Sequence, residues 1–284
     1  MTTALIDADS IIYIIAWNFK DDDELVTDAV KQSCDDFVHS ILTLTQADCY
    51  IGAFSAPSVN NFRSKIYLYQ PYKGNRPPKP DFVTKWSPVI KAHLTDKWGF
   101  YTSPSLEADD IVVAIAAMSN EETDKSNRVI VCSPDKDLKQ VPGYHFDYRT
   151  NSEGIQTVTI LQACINLWAQ VLTGDSTDNI AGLPGLGEVK VRKLFDTAAE
   201  TGDLNDLTLM QVVQAQFHKY FGTFYGHIIY CQTLQSVMMV QPNHPRWDFH
   251  KEEIQDVKTN YVRTSPASDT ELDECVLNEL GWDL

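Results

Sequence analysis

Val129-Ile130-Val131-Cys132-Ser133-Pro134-Asp135-Lys136-Asp137 is the stretch from which the fold is read. A short apolar run rich in β-branched residues is closed by a Ser-Pro turn, and two aspartates follow at once. The chain opens in the same way, with Ala4-Leu5-Ile6 ending at Asp7 and Asp9 close behind. Residues 50–54 form another strand candidate. Between these strands lie helical patterns: an apolar segment over 11–17, and apolar positions Val30, Phe37, Val38, Ile41 and Leu44 at helical spacing. A strongly apolar run over 106–118 follows an acidic start and reads as a buried helix. Residues 145–148 and 155–160, joined by a turn-like 151–154, read as a β-hairpin. Beyond them the chain turns mostly helical, with glycine-rich connections near Gly174 and over 182–187. Alternating strands and helices followed by helices imply an α/β sheet with a helical second half packed on it.

Composition sets the outer limits. The 284 residues are 43% hydrophobic and 22% charged, enough for a sizeable core. With 39 acidic and 23 basic residues the formal net charge is −16, a poor start for a nucleic-acid binder if the charge were evenly spread. No apolar run approaches the ~18 residues of a membrane span. The N-terminus lacks a basic region ahead of an apolar stretch, so no secretory signal is expected. The six cysteines (34, 49, 132, 164, 231 and 275) form no C-x-x-C pair, which argues for reduced thiols in a cytoplasmic protein. His244 and His250 lie near each other without a Cys or carboxylate pattern, and read as ordinary surface or core histidines.

The acids fall at element ends. Asp7 and Asp9 follow the first strand, and Glu107, Asp109 and Asp110 open the apolar helix. Asp135 and Asp137 follow the strand over 129–132, and Asp175 and Asp178 lie in Gly-Asp-Ser-Thr-Asp-Asn-Ile at 174–180. Any one group could be a helix-end charge, a turn or a cap. Together they occupy the places where open α/β sheets build their sites. As many as nine converging carboxylates need cations, and oxygen-only donors select hard metals such as Mg²⁺ or Mn²⁺. Two such ions would activate a water and clamp a phosphodiester.

Over residues 63–97 the charge reverses, with eight bases against two acids. Arg63, Lys65, Lys73, Arg76, Lys79, Lys85, Lys91 and Lys97 are interleaved with Phe62, Tyr67, Tyr69, Tyr72, Phe82 and Trp86. Cations with aromatic rings suit a single-strand channel, and prolines at 71, 77, 78, 80 and 88 imply a projecting, partly irregular arm. Gly182-Leu-Pro-Gly-Leu-Gly187 then leads into a helix bearing Lys190, Arg192 and Lys193, an arrangement that exposes backbone N–H groups to a phosphate.

In this order the motifs resemble those of the 5′ nuclease family of flap endonucleases and 5′–3′ exonucleases, most of all its bacteriophage branch. The matching strings are Leu-Ile-Asp at 5–7, Tyr-Lys-Gly-Asn-Arg-Pro-Pro at 72–78, Glu-Ala-Asp-Asp at 107–110, Asp-Lys-Asp at 135–137, and the two strings over 174–180 and 182–187. The resemblance implies an α/β, PIN-like core with a central, mostly parallel sheet flanked by helices, a basic arch and a helical helix-hairpin-helix region. Laid on the sequence, the core spans 1–165 with its arch at about 63–97. The helical region spans 166–250 with the hairpin motif at about 180–195, and 251–284 form an acidic C-terminal segment.

By resemblance, Asp7, Glu107 and Asp109 would hold a first, catalytic metal. Asp110, Asp135, Asp137, Asp175 and Asp178 would serve a second, with Asp135 near both. Lys73 would approach the scissile phosphate with help from Arg76, and Tyr72 would stack on a displaced base. Gly185, Gly187, Lys190, Arg192 and Lys193 would grip duplex DNA, with a K⁺ ion held by hairpin carbonyls. The cofactors implied are two Mg²⁺ ions, replaceable by Mn²⁺. The substrate implied is DNA with a free 5′ end or flap, cut to leave a 5′-phosphate, and also RNA primers in RNA–DNA hybrids. The protein would act as a monomer in the cytoplasm, a host's if phage-encoded, without a membrane. One departure stands out: the family usually carries another aspartate just after the second strand, where residues 51–58 hold no acid. Asp9 is expected to substitute for it in part. The competing readings are a PIN-like ribonuclease, which lacks the arm and hairpin, and a branched-DNA-binding protein whose catalysis the missing acid has impaired.

Overall fold

Ala4, Leu5 and Ile6 make both faces of their strand apolar, which places that strand at the centre of a sheet. In the computed structural model, which describes residues 1–22, 26–122, 127–150 and 153–266, β1 (Thr2–Asp7) lies between β2 (Cys49–Phe54) and β4 (Arg128–Cys132), parallel to both. The sheet order is β3-β2-β1-β4-β5-β6, with β3 at Tyr101–Thr102, β5 at Gly143–Phe146 and β6 at Ile155–Val158. All pairs along it are parallel except β5 with β6, the expected hairpin.

Side chains alternate across the central strands, so each face gathers its own core. Ala4 and Ile6 pack with α1 (Asp9–Asn18), α2 (Thr27–Thr45) and α4 (Asp81–Trp98) through Ile11, Ile15, Phe37, Ile41 and Trp86. Leu5, Ile51 and Val131 face α5 (Ala108–Glu121) and α10 (Trp247–Asn260) through Ile111, Ile115 and Val257. A third core joins α6 (Ile160–Thr173), α7 (Glu188–Thr201), α8 (Asp206–Phe221) and α9 (Thr223–Val237).

Two features differ from the sequence reading. The basic stretch is not one projecting arm. Residues 63–66 form the short helix α3, with Arg63 buried, and residues 81–98 form α4, whose Val83, Trp86, Ile90, Leu94 and Trp98 are buried despite Pro88 inside the helix. Only the span between α3 and α4 lacks helix, so Phe62, Tyr67 and Trp86 serve the core instead of stacking on bases. The second difference is at the C-terminal segment, which begins inside the fold. Ile254 and Val257 of α10 are buried, and β9 (Arg263–Thr264) pairs antiparallel with β2. Residues 267–284, with Cys275, lie outside the described residues. His244 and His250, read as surface or core histidines, are buried beside Phe62. Cys34, Cys49, Cys132, Cys164 and Cys231 are free thiols, and no described helix is long and apolar enough to cross a membrane.

Candidate metal centre

The sheet order reverses direction between β1 and β4, and in open α/β folds the crevice at the carboxyl ends of such strands is where ligands bind. Asp7 closes β1, Ser55 follows β2, and Asp135 follows β4. Asp7 is nearly buried. Its carboxylate accepts from Ser133 Oγ at 2.9 Å and from the Asp9 N–H at 3.2 Å, while its carbonyl accepts from Tyr148 Oη at 2.6 Å. Burial first, and the charge of Asp9 second, push its pKa up to about 7.

Glu107 is the N-cap of α5, and Asp109 and Asp110 fill the first turn of that helix. Oxygens of these three carboxylates lie within 4.8 Å of one another. Their crowding is resolved unequally. Arg63, itself 3% exposed, donates to both oxygens of Asp110 at 2.7 Å, and the Val240 N–H adds a bond at 2.9 Å. Burial alone would raise the Asp110 pKa; Arg63 outweighs it and holds the carboxyl below its ordinary value. Asp110, expected at a second metal, is thus already saturated and acts as a fixed support for its neighbours. Asp109 has no such partner, and burial together with Glu107 and Asp110 holds its pKa far above the ordinary value.

Asp135 caps a 3₁₀ turn (Lys136–Gln140) by accepting from the Asp137 N–H at 2.9 Å. Asp137 accepts from Gln170 Nε2 of α6 at 2.6 Å, and burial plus Asp135 and Asp175 push its pKa up to about 7. Asp175 and Asp178 sit on the loop between β7 (Gly174–Asp175) and β8 (Ile180–Ala181). Asp175 accepts from the N–H groups of Thr177 and Asp178 at 2.8 and 3.2 Å, and burial with the Asp178 charge raises its pKa. That loop exists because two glycines let chains touch: a Cβ on Gly182 would lie 2.1 Å from the Thr173 carbonyl, and one on Gly174 2.2 Å from the Gly182 nitrogen.

The arm folds onto this loop. Gln70 and Asn75 donate to the carbonyls of Asn179 and Ser176, and the Lys73 N–H donates to Asp178 O at 2.8 Å. This bond holds Lys73 in the left-handed region at φ +56°, which costs a non-glycine residue about 1–2 kcal/mol. Lys73 Nζ then pairs with Glu107 and lies 3.7 Å from Asp178, and Arg76 pairs with Asp178. The Tyr72 hydroxyl lies 2.7 Å from a Glu107 oxygen and 2.6 Å from an Asp178 oxygen, with its one proton between them, and burial together with these two charges keeps the phenol protonated. Tyr72 is half-buried, with its ring against the helical core and its hydroxyl at the carboxylates.

One cavity of about 1030 Å³ joins these groups, lined by Glu107, Asp109, Asp135, Asp137, Asp175 and Asp178. It continues to Arg192 of α7. Ahead of α7, Gly185 turns at φ +79°, Gly187 precedes the helix, and Lys190 Nζ donates to the Gly185 carbonyl at 2.7 Å. Lys193 stands on the same helix. Asp7 and Asp9 do not line this cavity; Asp9 accepts from the Ser55 N–H at 3.2 Å. Where the family usually has an acid, Ser55 Oγ accepts from the Ala108 N–H at 2.9 Å, so a hydroxyl caps α5 there. Sequence reasoning missed the parts of Arg63, Ser55, Ser133 and Gln170. Arg63 follows an aromatic residue in a basic stretch, and nothing in its immediate neighbours distinguishes a buried guanidinium from a solvated one.

A family model described as the 5′-3′ exonuclease N-terminal, resolvase-like domain matches residues 2–176. The DNA polymerase I of Mycobacterium tuberculosis is 26% identical over 224 residues, which are 72% of this chain and 24% of that protein. The flap endonuclease Xni of Shewanella woodyi is 28% identical over 45% of this chain and 52% of its own. The chain thus spans about a quarter of the polymerase and half of the endonuclease. Among solved structures, a flap endonuclease of bacteriophage T5 in complex with DNA and metal ions superposes with a TM-score of 0.55 at 14% identity, covering 91% of this chain and 99% of that one. A zinc-bound T5 5′-exonuclease gives 0.52 at 16% identity, covering 91% and 100%. These likenesses show the fold, a PIN-like α/β architecture with a mainly parallel sheet.

Proposed function

The chain belongs to the 5′–3′ exonuclease family, and on that premise we propose that it is a divalent-metal-dependent nuclease cutting DNA from a free 5′ end or at a 5′ flap. The observation that carries this reading is the convergence of Glu107, Asp109, Asp135, Asp137, Asp175 and Asp178 from separate element ends onto one cavity faced by Lys73 and Arg76. The donor set fits hard metal ions: every ligand is a carboxylate oxygen, and burial together with the neighbouring carboxylates holds several of these carboxyls above their ordinary pKa. Glu107 and Asp109, backed by Asp7, would hold one Mg²⁺; Asp137, Asp175 and Asp178 would hold the other, with Asp135 between. Asp110 is left out of the ligand set, because Arg63 occupies both its oxygens. Bound ions would supply an activated water and charge for the leaving oxygen.

The chain's own residues do the rest. Lys73 and Arg76 now neutralise Glu107 and Asp178, and a phosphodiester entering the cavity would offer them a new anionic partner. The turn at Gly185 and Gly187 presents the N-terminus of α7 to a duplex phosphate, with Lys190, Arg192 and Lys193 adding charge. A K⁺ ion on the turn's carbonyls belongs to the same proposal, as do RNA–DNA hybrids as substrates, a monomeric state and a cytoplasmic setting. Asp9 stands in for the absent acid: it meets the Ser55 backbone at the end of β2 and lies close enough to Asp7 to raise its pKa. If Asp9→Asn leaves Mg²⁺-dependent cleavage unchanged, that substitution role is wrong.

The test of the whole reading uses labelled 5′-flap DNA, matched single-stranded RNA, and Mg²⁺ or Mn²⁺. The proposal expects flap cleavage with a 5′-phosphate on the product. Faster cleavage of the RNA would favour a PIN-like ribonuclease. Flap binding without cleavage in either metal would favour a binding protein, the reading that Ser55 alone supports.

A further inference from the structure

A helix repeats every 3.6 residues, so positions four apart fall along one face, one above another. On α1 these are Asp9, Tyr13 and Trp17, opposite the buried Ile11 and Ile15. Asp9 is at the metal centre through Ser55 and Asp7. Tyr13 is 45% exposed and Trp17 59% exposed, so two large rings climb away from the carboxylates on the open side of the helix. A single exposed aromatic needs no explanation, but a row of them beginning at a reaction centre does.

The surroundings of Trp17 narrow the occupant. Phe82, in the first turn of α4 just after the arm, meets the Trp17 ring edge-on with centroids 5.6 Å apart, and Lys20 Nζ sits 4.6 Å from the centre of that ring. Exposed rings with a cation beside them suit a nucleic-acid strand, whose bases stack and whose phosphates carry charge. The two rings are about 6 Å apart along the helix axis, a spacing that an unpaired strand can follow. Asp21 and Asp22 are exposed just past Lys20, so the surface that accepts phosphate ends there.

We propose that the Tyr13–Trp17 face of α1 is a stacking platform for the single-stranded 5′ segment of the substrate, leading it away from the metal centre beside the base of the arm. The proposal rests on the nuclease reading and adds a binding site to it. An unpaired segment would seat its bases against Tyr13 and Trp17 with Lys20 near its backbone. The platform holds about two or three nucleotides before the acids repel the strand.

The experiment measures, by fluorescence anisotropy in Ca²⁺, the affinities of the full chain for a blunt duplex and for duplexes with 5′ overhangs of one to six nucleotides. The readout is the ratio of overhang to blunt affinity, from which any general loss of folding or duplex binding cancels. The wild-type ratio is expected to rise with overhang length and level off after about three nucleotides, and Trp17→Ala or Tyr13→Ala to lower it about tenfold each. Trp17→Phe and Tyr13→Phe should keep most of it. A ratio near one in the wild type, or one unchanged by both alanine variants, overturns the platform while leaving the nuclease reading intact. A wild-type dimer that Trp17→Ala dissociates also overturns it, because the face then belongs to a second copy of the chain. Failure to bind either DNA defeats the nuclease reading and the platform together.

Discussion

Asp7 and Asp137 have pKa values pushed up to about 7, so in the metal-free protein they keep protons that the unfolded chain loses near pH 4. A carboxyl raised in the folded state stabilises fully below its unfolded pKa, and that contribution is lost as pH rises through the folded value. The melting temperature of the metal-free protein should therefore fall between about pH 4 and pH 7, and saturating Mg²⁺ should restore it. Asp7→Asn should flatten the decline; calorimetry across that range checks both. Arg63 presents the opposite case, a buried cation paired with a buried anion. Arg63→Ala leaves Asp110 unpaired in the interior and should cost about 3–5 kcal/mol in chemical denaturation. Arg63→Lys should recover little of this, because a lysine cannot donate to both carboxylate oxygens in one plane. Lys73 is different again, since it sits on an arm tied to the β7–β8 loop through Gln70, Asn75 and Arg76. Lys73→Ala should slow single-turnover flap cleavage about a hundredfold or more while changing duplex affinity only a few-fold. Equal losses in both would reduce it to a phosphate anchor.

At the level of elements, the strands were legible because β1, β2 and β4 are short apolar runs ending in turns, and their pairing follows from burial on both faces. The helix α4 was not. Its buried positions Val83, Trp86, Ile90, Leu94 and Trp98 follow a helical period, but lysines and Pro88 between them give the stretch the look of an exposed arm. What fixes it is tertiary: Asp35 of α2 accepts from His93, Lys97 and the Trp98 indole, each at 2.7 Å. No local rule can supply a partner about sixty residues away. The candidate site divides in the same way. The strand-end acids could be picked out from their positions, whereas the commitment of Asp110 to Arg63 depends on α3 reaching across to α5. The β7–β8 loop carries its own prediction. Gly182→Ala would drive a methyl into the Thr173 carbonyl and shift the loop bearing Asp175 and Asp178. Such a variant should bind Mn²⁺ about tenfold or more weakly in calorimetric titration while its far-ultraviolet circular dichroism stays close to that of the parent. Unchanged Mn²⁺ affinity would separate the loop from the metal centre.

Over the whole molecule, the net charge of −16 conceals a division of labour. Nine acids fall at the strand-end and helix-start positions read from the sequence, and another nine in residues 251–284, so the remainder is close to neutral despite the basic stretch over 63–97. The fold turns this distribution into a path, in which one cavity runs from the carboxylates to the basic N-terminal part of α7, with Lys73 and Arg76 across it. On the proposed reading, repulsion among the acids would oppose phosphate entry until cations bind, which would couple metal binding to nucleic-acid binding. The central claim is that these carboxylates form the metal centre of a 5′ nuclease. Single-turnover cleavage of 5′-flap DNA tests it most directly, measured for the wild type and for Asp135→Asn with Mg²⁺ and with chelator. The account predicts cleavage by the wild type only with Mg²⁺, and a loss of at least a thousandfold in Asp135→Asn with its fold intact. Cleavage that survives chelation, or an Asp135→Asn variant as fast as the parent, would contradict it.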